Sequence, residues 1–135
     1  MKTKIGLVVS DFNKEITSIM EQHAQKIARS LNAEITETIH VPGAFEIPFA
    51  ADKVLGKEKA DALAVLGVIA EGETQHDLII GSAISSKLIE MSLKYNKPIG
   101  FGVIGPRVTW AQAKKRAKEY AQRAVESALE MAKIR

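Results

Sequence analysis

Four short apolar runs alternate along the chain with stretches whose apolar residues recur at helical spacing. This alternation predicts a succession of strands and helices. Ile5-Gly6-Leu7-Val8-Val9 is apolar throughout, as a strand covered on both faces would be. Residues 14–31 place Ile16, Ile19, Met20, His23, Ile27 and Leu31 along one side of a helix. The run Glu34-Ile35-Thr36-Glu37-Thr38-Ile39 alternates in polarity and reads as a strand at or near a sheet edge. A second helix is expected from near Ala44 to near Gly56, with Gly56 as its C′ residue. Pro48 fits that helix only within its first turn.

Ala62-Leu63-Ala64-Val65-Leu66 is wholly apolar and reads as a central strand. Thr74 with Asp77 resembles a cap at the start of a long helix running to about Tyr95. Pro98 introduces a fourth strand, Ile99 to Ile104. Thr109 and Gln112 have capping-box spacing for a last helix with Ala113, Ala117, Tyr120, Ala124, Ala128 and Met131 along one stripe. Strands and helices in this order predict right-handed βαβ units and a parallel sheet with helices on both faces, an α/β/α sandwich. Nothing repeats and no linker interrupts the pattern, so residues 1–135 are expected to form one domain.

Composition narrows the chemistry. Apolar residues make up 46% of the chain and charged residues 26%, the balance of an ordinary globular protein. The formal net charge is only +3, and aromatic residues are 5%. Lysines and arginines gather in the last helix rather than in a dense patch with interleaved aromatics, so a small anionic substrate fits at least as well as nucleic acid. The absence of cysteine excludes disulfides, iron–sulfur ligation and thiolate nucleophiles. His23, His40 and His76 are scattered, with no two at metal-ligand spacing. With no signal-peptide pattern and no bilayer-spanning run, the expected location is the cytoplasm.

In open α/β sheets ligands bind outside the carboxyl ends of the strands. Two strand-to-helix turns here are chemically loaded: Val41-Pro42-Gly43-Ala44-Phe45-Glu46-Ile47-Pro48 and Gly67-Val68-Ile69-Ala70-Glu71-Gly72-Glu73-Thr74-Gln75-His76. Together they point to a single small-molecule site. Gly100-Phe101-Gly102-Val103-Ile104-Gly105 spells a dinucleotide-type GxGxxG, but it lies inside the fourth strand instead of opening a helix. A receiver domain would carry an acceptor Asp where Leu66-Gly67 stands, and a Lys where Gly105-Pro106 stands. A flavodoxin would have a phosphate loop in place of Ser10-Asp11-Phe12-Asn13-Lys14.

Phe12-Asn13, VPGAFEIP at 41–48, LGVIAEGETQH at 66–76, Phe101-Gly102-Val103, and Gln112-Ala113 with Arg116-Ala117 occur in the order and spacing of one enzyme family. The chain resembles the 6,7-dimethyl-8-ribityllumazine synthases, in their archaeal form, from its first strand to its last helix. That resemblance implies a flavodoxin-like four-stranded parallel sheet. It implies condensation of 5-amino-6-(D-ribitylamino)uracil with 3,4-dihydroxy-2-butanone 4-phosphate, releasing phosphate and water, in riboflavin biosynthesis. It also implies a transferase without cofactor or metal, working as a homopentamer. The chain begins directly at its first strand, without the extension many relatives carry, which leaves open whether pentamers assemble into an icosahedral shell. No nucleic acid or membrane partner is implied. A riboflavin synthase paralogue and a non-catalytic flavin- or lumazine-binding shell protein are the competing readings.

The resemblance assigns roles that the residue types can be weighed against. Phe12 suits stacking on a pyrimidine ring, although an apolar residue before a helix also serves as a hydrophobic staple. Gly43 permits close backbone approach, and Ala44 and Phe45 would present main-chain groups. Glu46 would accept ribityl hydroxyls, or merely complement a helix dipole. Val68, Ile69 and Ala70 would offer backbone to the pyrimidine edge, although by composition Val68 and Ile69 are core residues. Gly72, Glu73 and Thr74 open a helix whose free amides would bind phosphate. Arg116 would supply a guanidinium that matches phosphate geometry, or be one of several solvated charges. Glu71 and Glu73 sit awkwardly beside an anion. Phe101 would complete a neighbouring subunit's pocket, and Arg123 and Glu126 lie where the family carries a basic and an acidic residue. His76, two residues past Thr74, is the proposed acid/base, since imidazole titrates near neutral pH. His23 and His40 lack such company and are expected to be structural.

Overall fold

The computed structural model describes residues 2–70 and 76–134. Strand β1 (Lys4–Ser10) leads through helix α1 (Lys14–Ser30) to β2 (Glu34–Val41). A 3-10 turn (Ala44–Glu46) and helix α2 (Ile47–Gly56) return the chain to β3 (Ala62–Ala70). Helix α3 (His76–Tyr95), strand β4 (Ile99–Val108) and helix α4 (Trp110–Met131) complete it. The strands lie in the order β2-β1-β3-β4, all parallel. This is the three-layer, flavodoxin-like α/β arrangement expected from the sequence, with β3 inside and β2 at an edge.

The chain steps outward from β1 to β2, then crosses back to place β3 on the other side of β1. Right-handed crossovers in opposite directions put their helices on opposite faces. Helix α1 therefore lies opposite α2 and α3, and α4, which follows the last strand, joins it over Ile5, Leu7, Val9, Ala64, Leu66 and Ile104. Helices α2 and α3 share the other with Val8, Leu63, Val65, Ile69 and Val103. The reversal of direction between β1 and β3 is where a ligand crevice belongs.

Several boundaries shift from the sequence expectation. Helix α2 begins at Ile47 instead of Ala44, after the 3-10 turn, and Pro48 falls in its first turn. Strand β2 continues to Val41, β3 to Ala70 and β4 to Val108, since ladder pairing extends past the apolar runs. On α1 the buried residues are Ile16, Thr17, Met20, Ala24 and Ala28, with Leu31 beyond the helix end and exposed. Small Ala24 and Ala28 bring the helix close to the sheet, leaving Ile19 and Ile27 at the margin of the core. His23 pairs instead with Gln122 of α4 at 3.0 Å. On α4 the deepest stripe adds Ala121, Val125 and Leu129, while Met131 is exposed.

The capping box of α4 forms as expected: Thr109 Oγ1 accepts from the Gln112 amide at 3.1 Å, and the Thr109 amide donates to Gln112 Oε1 at 3.0 Å. The glycines within β4 have a packing role. A Cβ on Gly100 would collide with the Ala124 carbonyl, and one on Gly102 would lie 3.0 Å from the Ala124 Cβ. Thus α4 rests directly on the β4 backbone, and the GxGxxG pattern holds a helix rather than a dinucleotide. Among the described residues no helix is long and apolar enough to cross a membrane.

Candidate active site

The first wall of the site grows out of β1. Beyond Ser10, the Asp11 amide donates to the Val41 carbonyl at 2.7 Å and the Phe12 amide to the Pro42 carbonyl at 2.9 Å. These two bonds prolong the β1–β2 ladder past the strand ends and lay the two loops side by side. Asn13 then turns through the left-handed region (φ 63°), and its carbonyl accepts the Ile16 and Thr17 amides that begin α1. An asparagine tolerates that conformation better than most residues. The turn leaves the Phe12 ring 65% exposed although its backbone is tied down.

The second wall follows β2. Gly43 is extended, and its carbonyl accepts the Glu46 amide at 3.1 Å to close the 3-10 turn. A side chain on Gly43 would start 3.3 Å from Glu46 Oε1 and 4.0 Å from the Phe12 Cβ. Phe12, Gly43 and the Glu46 carboxylate therefore meet at one place.

The third wall is the end of β3 with the start of α3. Phe12, Gly43, Ala44, Phe45, Val68, Ile69 and Ala70 line one hollow of about 250 Å³, together with Asp77 and Ile80. It lies outside the carboxyl ends of β1 and β3, at the reversal of strand order. Opposite Ile69 and Ala70, the β4 chain departs from regular pairing between Ile104 and Val108. Gly105 (φ 107°) sits against the Ile69 carbonyl, and the Arg107 amide donates to Asp77 Oδ2 at 3.4 Å.

A larger depression, of about 620 Å³, runs between α2 and α3 over Phe49 and Met91, with Asp52, Lys87, Glu90 and Lys94 among its lining. Pro48, at the end of the VPGAFEIP turn, lines it, but none of the residues given a substrate or catalytic role does. The hollow at the strand ends has both the topology and the convergent loops, and is the candidate site.

The structure thus gathers seven of the sequence-selected residues in one hollow, with Glu46 beside it. His76 is exposed at the first position of α3, adjacent to Asp77 in the lining. The selected Gly72, Glu73 and Thr74, with Glu71, lie outside the described residues. Phe101 is not brought to the hollow: it pairs with Val65, well before the end of β3, and borders a separate groove with Ser85 and Ile89. Arg116 is exposed on α4, on the other face of the sheet. Arg123 pairs with Glu119 at 3.1 Å and lies over the Tyr120 ring. Glu126 accepts from Gln122 and borders a groove with Thr3, near the amino end of β1. Sequence reasoning missed Asp77 and Ile80 as lining residues. Their i, i+3 spacing on one face of α3 was the available signal.

A parallel α/β sheet with an apolar hollow at its switch point defines a flavodoxin-like protein built to hold a small molecule. The sequence model of the 6,7-dimethyl-8-ribityllumazine synthase family matches residues 2–135. A synthase of that name from Metallosphaera sedula is 43% identical over 130 residues, covering 96% of this chain and 86% of the relative. Another from Methanoculleus marisnigri is 44% identical over 131 residues, covering 97% and 96%. One from Saccharolobus islandicus is 44% identical over 128 residues, covering 95% and 83%. The chain belongs to the 6,7-dimethyl-8-ribityllumazine synthase family, transferases of riboflavin biosynthesis.

Proposed function

We propose that the hollow binds 5-amino-6-(D-ribitylamino)uracil and that the chain condenses it with 3,4-dihydroxy-2-butanone 4-phosphate to give 6,7-dimethyl-8-ribityllumazine, phosphate and water. The observation that carries this reading is the convergence of Phe12, Gly43, Phe45 and Val68 to Ala70 on one apolar hollow with the Glu46 carboxylate at its margin. A flat heteroaromatic ring gains from offset stacking on Phe12. Backbone groups at Ala44, Phe45 and Val68 to Ala70 suit the pyrimidine edge, and Glu46 takes hydrogen bonds from ribityl hydroxyls. Gly72, Glu73 and Thr74, preceding α3, are the proposed phosphate cradle, since amides at a helix start favour anions.

His76 then stands between the phosphate end and the ring end of the site. Its imidazole moves protons during imine formation, phosphate elimination and ring closure. The Phe101 ring and the Arg116 guanidinium come from a neighbouring copy in this reading. Two observations support that sharing. Neither residue lies at its own chain's hollow, and Phe101 is 42% exposed on the edge strand. A homopentamer working in the cytoplasm is the proposed form, with no cofactor.

The experiment supplies both substrates to the purified protein without metal or nucleotide. Lumazine fluorescence and free phosphate should appear together, well above the spontaneous rate. Product formation no faster than in buffer would overturn the reading, and riboflavin from lumazine alone would replace it with the riboflavin synthase reading.

A further inference from the structure

His40 was set aside in the sequence, yet its ring is held on both sides. Nδ1 lies 2.8 Å from Asp11 Oδ1 and Nε2 lies 3.0 Å from Glu21 Oε1. A neutral imidazole has one donor nitrogen and one acceptor nitrogen, so it can satisfy only one of two carboxylates. The imidazolium donates to both. Its three attachment points are the β1–α1 loop through Asp11, helix α1 through Glu21, and β2 just ahead of Val41-Pro42-Gly43. Asp11 immediately precedes Phe12, and the Asp11 and Phe12 amides are the two that lock this loop to Val41 and Pro42.

Two other carboxylates on the same elements, Glu37 and Glu15, have partners of their own. Glu37, on the opposite face of β2, takes Lys57 at 3.1 Å, and Glu15 of α1 takes Lys114 of α4 at 2.7 Å. Glu21 Oε2 accepts from Gln25 at 3.5 Å. Asp11 and Glu21 are thus the two carboxylates facing His40. The Asp11 hydrogen bond in first place, with the charge of Glu21 adding to it, raises the His40 pKa above its ordinary 6.5 against a smaller opposing effect of burial.

We propose that His40, as an imidazolium, is a positioning residue that staples together the two loops carrying Phe12 and Gly43, so that affinity for the pyrimidine substrate follows the protonation of this ring. The proposal rests on the reading of the hollow as the pyrimidine site. Below the ordinary histidine range the staple is fully formed. As pH rises through the raised value, one ring nitrogen turns a lone pair toward a carboxylate and the staple opens.

The test compares the wild type with His40→Gln and Glu21→Gln by two readouts across pH: exchange protection of the Asp11 and Phe12 amides, and KM against kcat for the ribitylaminouracil. In the wild type, protection should fall and KM rise several-fold at alkaline pH, with no matching fall in kcat. His40→Gln should show weak protection and high KM throughout, with no pH step. Glu21→Gln, which leaves the loops untouched, should move the step to lower pH. Wild-type protection and an unshifted step in both variants would overturn the staple. Protection that moves while KM stays flat would sever it from ligand affinity. A protection step in a protein that forms no lumazine would instead sink the functional reading and leave the staple standing.

Discussion

The two helical layers cover the same sheet with different materials. The α1/α4 layer buries Ala24, Ala28, Ala113, Ala117, Ala121, Ala124 and Ala128, and its exposed large apolar residues, Leu31, Trp110 and Met131, lie at helix ends. The α2/α3 layer buries Ile47, Leu55, Ile84 and Leu88, yet Phe49, Ile79, Ile89 and Leu93 are 62% to 77% exposed on its outer side, with Phe45 at 70% beside them. Small residues let a helix approach closely and finish a surface within one chain. Large apolar residues gathered on an outer face are a common mark of an interaction surface, which suits the proposed homopentamer. The hollow opens on this second, unfinished side.

That contrast can be broken directly. Phe49→Ser with Leu93→Ser should abolish the proposed homopentamer, read by sedimentation against the wild type, and turnover with it. Stability of the isolated chain should change by less than about 0.5 kcal/mol per site, as expected for surface positions. Gly100→Ala attacks the finished side: its Cβ would meet the Ala124 carbonyl, and overpacking of this kind costs about 3 kcal/mol in urea unfolding. His76→Ala should slow turnover about 10²-fold in steady-state assays with both substrates. Thr109→Ala removes half of the α4 capping box and should cost about 1 kcal/mol.

The smallest effect concerns His40. Its folded pKa lies above the unfolded one, so the stability it contributes is complete below about pH 6.5 and disappears as pH climbs through the folded value. Because the ring is 41% exposed, thermal melts across that window should move by the equivalent of less than about 1 kcal/mol. The step should be missing in His40→Gln.

The alternation of apolar runs and helical stripes made the sheet legible, because a strand covered on both faces needs an unbroken apolar run such as Ala62 to Leu66. The α1 stripe was harder. Large residues catch the eye, whereas Ala24 and Ala28 face the sheet because their size lets the helix settle there. The hollow was legible through its two motif-bearing turns. Asp77 was not, because three residues past Thr74 it reads as the partner in a helix cap. Phe101 and Arg116 received their roles from the resemblance alone, and neither lies at this chain's hollow, because residue pattern carries no information on how copies meet.

The pair of amide bonds from Asp11 and Phe12 to the β2 exit has a further consequence. They carry sheet-type pairing into what would otherwise be free loops, so the backbone beneath the proposed Phe12 platform is tied down before any ligand arrives. An incoming ring meets a surface already in shape, little chain entropy is lost on docking, and discrimination between ligands falls to fit rather than to closure.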